Sequence, residues 1–210
     1  MLNRCRRALV VPVVAALVGL AACGGAPGDD DAPDGRVGQG GASSGELTLV
    51  SSDVARDDGE RGAVPDAVAS LHHLAGSLYG ELATSEGNLA LSPYSIAVAL
   101  AMTANGANGT TAEEMLEVLG TDDLGSLNEG LNALSQYVEG LAGDQERADG
   151  SEAELALATA NQLFGHHQTV WNDDFLETLA RHYGAGMRTV DYVEAAEDAR
   201  LLINAWTSEQ

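Results

Sequence analysis

From Pro93 to about Asn105 the chain reads PYSIAVALAMTAN, an alanine-rich run with Ile96, Leu100 and Met102 spread through it and little that is polar. Alanine is the best helix former, and a helix that is apolar nearly all round is a buried one. The segment therefore predicts a core helix around which the rest of a domain must pack. A Ser92-Pro93 corner precedes it, with NLAL (88–91) read as a short strand that the proline ends. NGANG (105–109) breaks the helix. Thr110 and Glu113 then form the T-x-x-E capping box of a second helix, with Met115, Leu116 and Leu119 on its apolar face.

The flanking segments supply further elements. Asp66 caps a predicted helix whose apolar positions are Val68, Leu71, Ala75, Leu78 and Leu82. Residues 124–141 repeat leucine at helical spacing, and GDQERADGSE (143–152) reads as a polar loop. Residues 153–165 are apolar or small on both faces, which fits a buried strand or a helix equally. WNDDFLETLARHYGA predicts a capped helix with Phe175, Leu179 and Tyr183 on one stripe; MRTVDY alternates as a strand; Leu202, Ile203 and Trp206 mark a last helix.

The first 64 residues are of a different kind. MLNRCRRALVVPVVAALVGLAAC joins a basic start (Arg4, Arg6, Arg7) to an apolar run from Ala8 to Leu20. That is the layout of a secretory signal peptide, and the run is short for a membrane span. Leu20-Ala-Ala-Cys23 is similar to the lipobox of bacterial lipoproteins, in which the cysteine thiol is alkylated by a diacylglyceryl group. Residues 1–22 are thus expected to be a signal peptide and Cys23 a lipid attachment site, giving an exported chain anchored to the bacterial cell envelope. Residues 23–64, rich in Gly, Asp and Ser, are expected to form a flexible acidic spacer, in which only ELTLV (46–50) alternates like a strand. Residues 65–210 are the expected folded domain. With Cys5 in the signal peptide and Cys23 lipidated, no thiol remains for a disulfide.

Charge excludes one class of partner. All ten basic residues are arginine, against 32 acidic ones, for a net charge of −22. A chain without a basic patch is a poor ligand for a phosphate backbone, so no nucleic acid is expected.

No arrangement in the sequence assembles a nucleophile, a base and an orienting group. Gly41–Gly45 matches G-x-S-x-G, but in the spacer rather than between a strand and a helix. SPYS is not followed by lysine, and the chain has none. His72–His73 and His166–His167 are adjacent pairs outside any H-E-x-x-H pattern and read as structural or surface residues. Asp29–Asp31 and Asp57–Asp58 lack calcium-loop spacing, and Asn108-Gly-Thr110 reads as turn chemistry. Neither a metal nor a cofactor is expected. Ser92 and Ser95 read as buried or half-buried hydroxyls bonded to backbone where strand gives way to helix.

Taken together, Asn88, Ser92-Pro93-x-Ser95-Ile96, the alanine-rich helix, Gly106-Ala-x-Gly-x-Thr111 and Glu114-Met115 resemble the signature of the serpins. ATANQLFG (158–165), FLETLARHYGAGMRTVDY (175–192) and LLINAW (201–206) follow in that family's order, with Thr207 departing from an expected apolar residue. The resemblance runs from about Asp66 to Gln210. It implies an α+β fold of three sheets and a set of helices, with 153–165 a central strand of the main sheet. Ser92, Pro93, Ser95 and Asn161 match shutter positions beneath that sheet. The implied function is not an enzyme's but suicide inhibition of serine, sometimes cysteine, proteases, in which an attacked reactive loop inserts into the main sheet. The family's reactive loop and C-terminal strands lie downstream of the positions matched here. The expectation is therefore an N-terminal portion of an incomplete serpin fold with the loop absent, or a non-inhibitory fragment acting at most as a binding surface.

Overall fold

The structure, a computed structural model, describes residues 47–84 and 87–210. Its described residues form an α+β domain with helices α1 (Val64–Leu82), α2 (Pro93–Ala104), α3 (Thr110–Leu119), α4 (Leu124–Glu139), α5 (Asp173–Tyr183) and α6 (Ala196–Ser208). Strands β1 (Thr48–Val50), β4 (Leu163–His166) and β5 (Met187–Val190) make one sheet in the order β1-β5-β4. β1 runs antiparallel to β5 and β4 parallel to it, so β4, α5 and β5 form a crossover unit. β2 (Gly143–Glu146) and β3 (Glu152–Leu155) pair as a separate antiparallel hairpin.

The expected core helix is the centre of the domain. Ala97, Val98, Ala101, Met102 and Ala104 of α2 are buried among Leu74, Leu119, Leu127, Leu131, Leu176, Leu179 and Met187 from five other elements. Small residues let helices approach closely. A Cβ built on Gly130 of α4 would lie 2.5 Å from the Ala63 carbonyl oxygen and 2.8 Å from the Ala67 Cβ. The α1–α4 crossing therefore needs glycine at that point.

α5 shows how sequence sets an element's ends. Asn172 caps it by accepting the Phe175 N–H at 3.2 Å. Asp173 and Asp174 sit in its first turn and Arg181 and His182 in its last, matching the helix dipole. Gly184, at φ 59°, closes it in the left-handed conformation.

Several expectations are corrected. The spacer does not extend to residue 64. From residue 47 on the chain lies on the domain: β1 pairs with β5, the Asp57 N–H donates to the Arg181 carbonyl at 2.9 Å, and a Cβ on Gly59 would meet the Ala133 nitrogen at 2.5 Å. Polar and backbone bonds fix this segment, so its lack of apolar period gave no sign of it. Residues 23–46 lie outside the described residues.

Asp66 is not the cap of α1. That helix begins at Val64 behind a short 3₁₀ turn capped by Glu60, and Asp66 lies in its first turn. Its buried face is Ala67, Ser70 and Leu74, with Leu71 and Leu78 only partly covered and Leu82 45% exposed. Thr110 is the first residue of α3 rather than its cap; Gly109 holds that place with no side-chain bond. NLAL is not a strand, and the loop at 143–152 contributes to the β2–β3 hairpin. Residues 153–165 do not form one central strand. Residues 153–155 belong to the hairpin, 156–162 have no regular structure, and only 163–165 enter the three-stranded sheet, as part of β4. Among the described residues β4 has a partner on one side alone, and a central strand requires two.

Candidate functional site

Local chemistry sets the Ser-Pro corner. Ser92 has extended dihedrals and caps α2, its Oγ accepting the Ser95 N–H at 3.3 Å. The Ser92 hydroxyl donates to the Ser95 Oγ at 3.1 Å. Pro93 takes the first helical position, where a missing N–H costs nothing. Ser95 is half-buried as expected, but Ser92 is exposed, because the chain before it has no strand partner. Among the described residues no histidine or carboxylate is bonded to either hydroxyl, so neither is activated as a nucleophile. Replacing Ser92 with alanine is expected to cost about 1 kcal/mol, the loss of an N-cap. Ser95→Ala keeps the capped N–H and costs less. Urea unfolding midpoints measure both.

Tyr94, between the two serines, lines a cleft of about 220 Å³ with Val98 and Met102 of α2, Ser135 and Glu139 of α4, Thr159–Gln162 and Trp206. Arg56 also lines it. Its Nε donates to the Asn132 Oδ1 at 2.9 Å, one terminal nitrogen donates to both Glu139 carboxylate oxygens at 3.2 Å, and the other bonds the Ser135 hydroxyl. The cation is fully engaged in structure. Asn161 lies on this cleft with Tyr94, while Ser92 and Ser95 are not among its lining residues. The structure therefore does not gather the four expected shutter residues around one cavity. Cys23 lies outside the described residues.

Beside the cleft a polar stack crosses the core. Asn105 and Asn128 exchange amide bonds at 3.1 and 2.8 Å, and the Tyr183 hydroxyl donates to the Asn128 Oδ1. Burial pushes the phenols of Tyr183 and Tyr94 up. A raised phenol favours folding while it is neutral. Its contribution is fully present below the unfolded-state value of about 10 and is lost as pH rises through the higher folded value. Stability is therefore expected to fall above about pH 10, and less steeply in Tyr183→Phe, as read from urea midpoints across that range.

The histidines separate into two environments. His72 and His73 are exposed on α1, and the His73 ring lies against Gly120. His166 and His167 close β4, where Asp191 joins them from the end of β5; their donor atoms all lie within 4.8 Å of one another. The sequence reading missed this group, because its third member is 24 residues away and is brought in only by the parallel β4–β5 pairing. Among the described residues this is the set of side chains best able to hold a metal.

The family described as Serpin (serine protease inhibitor) matches residues 69–210. The chain is 37% identical over 124 residues to the leukocyte elastase inhibitor of Xenopus tropicalis, covering 59% of this chain and 30% of that protein. It is 38% identical over 126 residues to the leukocyte elastase inhibitor of Xenopus laevis, covering 60% of this chain and 31% of the relative. Against Serpin B6 of Bos taurus it is 34% identical over 123 residues, 59% of this chain and 31% of that one. The matched region thus spans about 30% of the length of these relatives.

Proposed function

The chain belongs to the serpin family, whose members are protease inhibitors rather than enzymes, and from that premise we propose that it serves in a serine protease inhibitor anchored by lipid at a bacterial cell envelope. The observation that carries the inhibitory reading is the family match across residues 69–210. The serine corner supports it: Ser92 and Ser95 are tied to a helix start with no base bonded to them, as structural residues would be. The anchoring reading rests on the Leu20–Cys23 lipobox and the basic, apolar leader before it. Among the described residues no helix is long and apolar enough to cross a membrane. The inhibitor acts as a suicide substrate: a protease cleaves a reactive loop, is held as the acyl-enzyme, and is disabled when the loop joins the main sheet. The relatives named for leukocyte elastase make an elastase-type serine protease the first target to try.

Two measurements test this. The protein purified from its native envelope is titrated against elastase-, trypsin- and chymotrypsin-type proteases. Stoichiometric, irreversible loss of one activity is expected. Full activity of all three would instead favour a fragment that serves only as a binding surface. Separately, labelled fatty acid should enter the wild-type chain and not Cys23→Ser, which should leave the membrane fraction. Equal labelling of both would overturn the anchor.

A further inference from the structure

The end of the β4–β5 pair gathers more ligating chemistry than the fold needs. In the parallel register His166 lies opposite Val190, so the next residue of β5's chain, Asp191, comes level with His167. The His167 N–H donates to the Val190 carbonyl at 3.0 Å and fixes that alignment. Neighbouring residues in a continuing strand point to opposite faces. Here β4 ends at His166 and the chain turns, so the two imidazoles come together with ring centres 4.5 Å apart.

Asp191 is held just as firmly. Its Oδ1 accepts the N–H groups of Val193 at 3.0 Å and Glu194 at 2.9 Å, while no protein donor among the described residues is bonded to Oδ2. Facing it, the His166 Nδ1 is shielded from solvent and has no hydrogen-bond partner. It stands 4.0 Å from the Asp191 Oδ1, too far for a hydrogen bond. A buried polar atom without a partner is costly, and a cation between the two groups would satisfy both.

We propose that His166, His167 and Asp191 bind a divalent transition-metal ion of the Zn²⁺ type. Two imidazoles and one carboxylate suit Zn²⁺, Co²⁺, Ni²⁺ or Cu²⁺, whereas Ca²⁺ and Mg²⁺ require oxygen ligands. Bonds of roughly 2.0–2.1 Å in tetrahedral geometry place donors about 3.4 Å apart. The 4.0 Å pair is within an ångström of that spacing. His167 is exposed, so its ring can turn to close the rest. Three protein ligands leave a position open to solvent for water or for a donor from another molecule.

The full chain, stripped with a chelator, is titrated with Zn²⁺ by calorimetry and with Co²⁺ by visible absorption. One ion per chain is expected, with a dissociation constant of roughly 10 µM or below and Co²⁺ bands of a four-coordinate nitrogen and oxygen site. His167→Gln and Asp191→Asn should each weaken binding tenfold or more. His72→Gln with His73→Gln should leave it unchanged and so discount loose binding by an acidic chain. The exposed position of His167 makes its variant the safer one for folding, and Asp191→Asn retains the oxygen that accepts the turn; thermal melts check both. Binding weaker than about 1 mM, or undiminished in both site variants while they remain folded, would overturn the proposal.

Discussion

Gly130→Val unfolds the domain or lowers its stability by about 3 kcal/mol or more, the upper range for an overpacked core. The position lies within a helix, so intrinsic propensity favours replacing glycine. Packing reverses the sign. The added Cβ would meet the Ala63 carbonyl oxygen at 2.5 Å, the Ala63 carbonyl carbon at 2.9 Å and the Ala67 Cβ at 2.8 Å. Two of those atoms are backbone and cannot move without parting α1 from α4. Gly76→Ala is the matched control. Its Cβ has nothing within 4 Å, so the same propensity gain stands alone and should stabilise by about 0.5–1 kcal/mol. Thermal and urea melts of the two variants should therefore move in opposite directions.

Asn132→Leu is expected to cost about 3 kcal/mol, from several buried polar groups left unpaired at about 1–3 kcal/mol each. Asn132 is fully buried in α4. Its Oδ1 accepts from the Arg56 Nε and the Gln136 Nε2, both at 2.9 Å, and its Nδ2 donates to the Asp57 carbonyl at 2.8 Å. This amide is the point at which residues 47–64 are fastened to the helices. The variant should expose the bond after Arg56 to trypsin while the helical signal persists. Combining Asn132→Leu with Arg56→Met should recover part of the loss, because the orphaned cation is removed along with its partner. Full additivity in that cycle would show that the two residues are not coupled.

What could be read from the sequence was what local pattern controls. α2 announced itself by lacking a polar face, α5 by Asn172 and its paired end charges, and α6 by the spacing of Leu202, Ile203 and Trp206. The α+β class and the serpin family also followed from motifs in order. What could not be read depended on distant partners. Residues 47–64 carry no apolar period, because Arg56 and Asp57 hold them through hydrogen bonds to residues 75 or more positions away. Residues 153–165 are apolar along their length, yet only the last part finds a strand neighbour, so composition overstated the strand. At the shutter, Ser92 and Ser95 were legible as cap chemistry, but the cleft is lined by Tyr94 between them, a side-chain direction that spacing does not encode. His166, His167 and Asp191 meet only through parallel register.

The central claim is inhibition by covalent capture, and the most direct test is a denaturing gel. The protein from its native envelope is mixed with an elastase-type serine protease, boiled in detergent and resolved by mass. The account predicts a new adduct that joins the inhibitor to the protease, minus the fragment released by cleavage, and that is missing when the protease's own nucleophile is blocked beforehand. Cleavage of the chain with no adduct, and with the protease left fully active toward its small substrates, would contradict it.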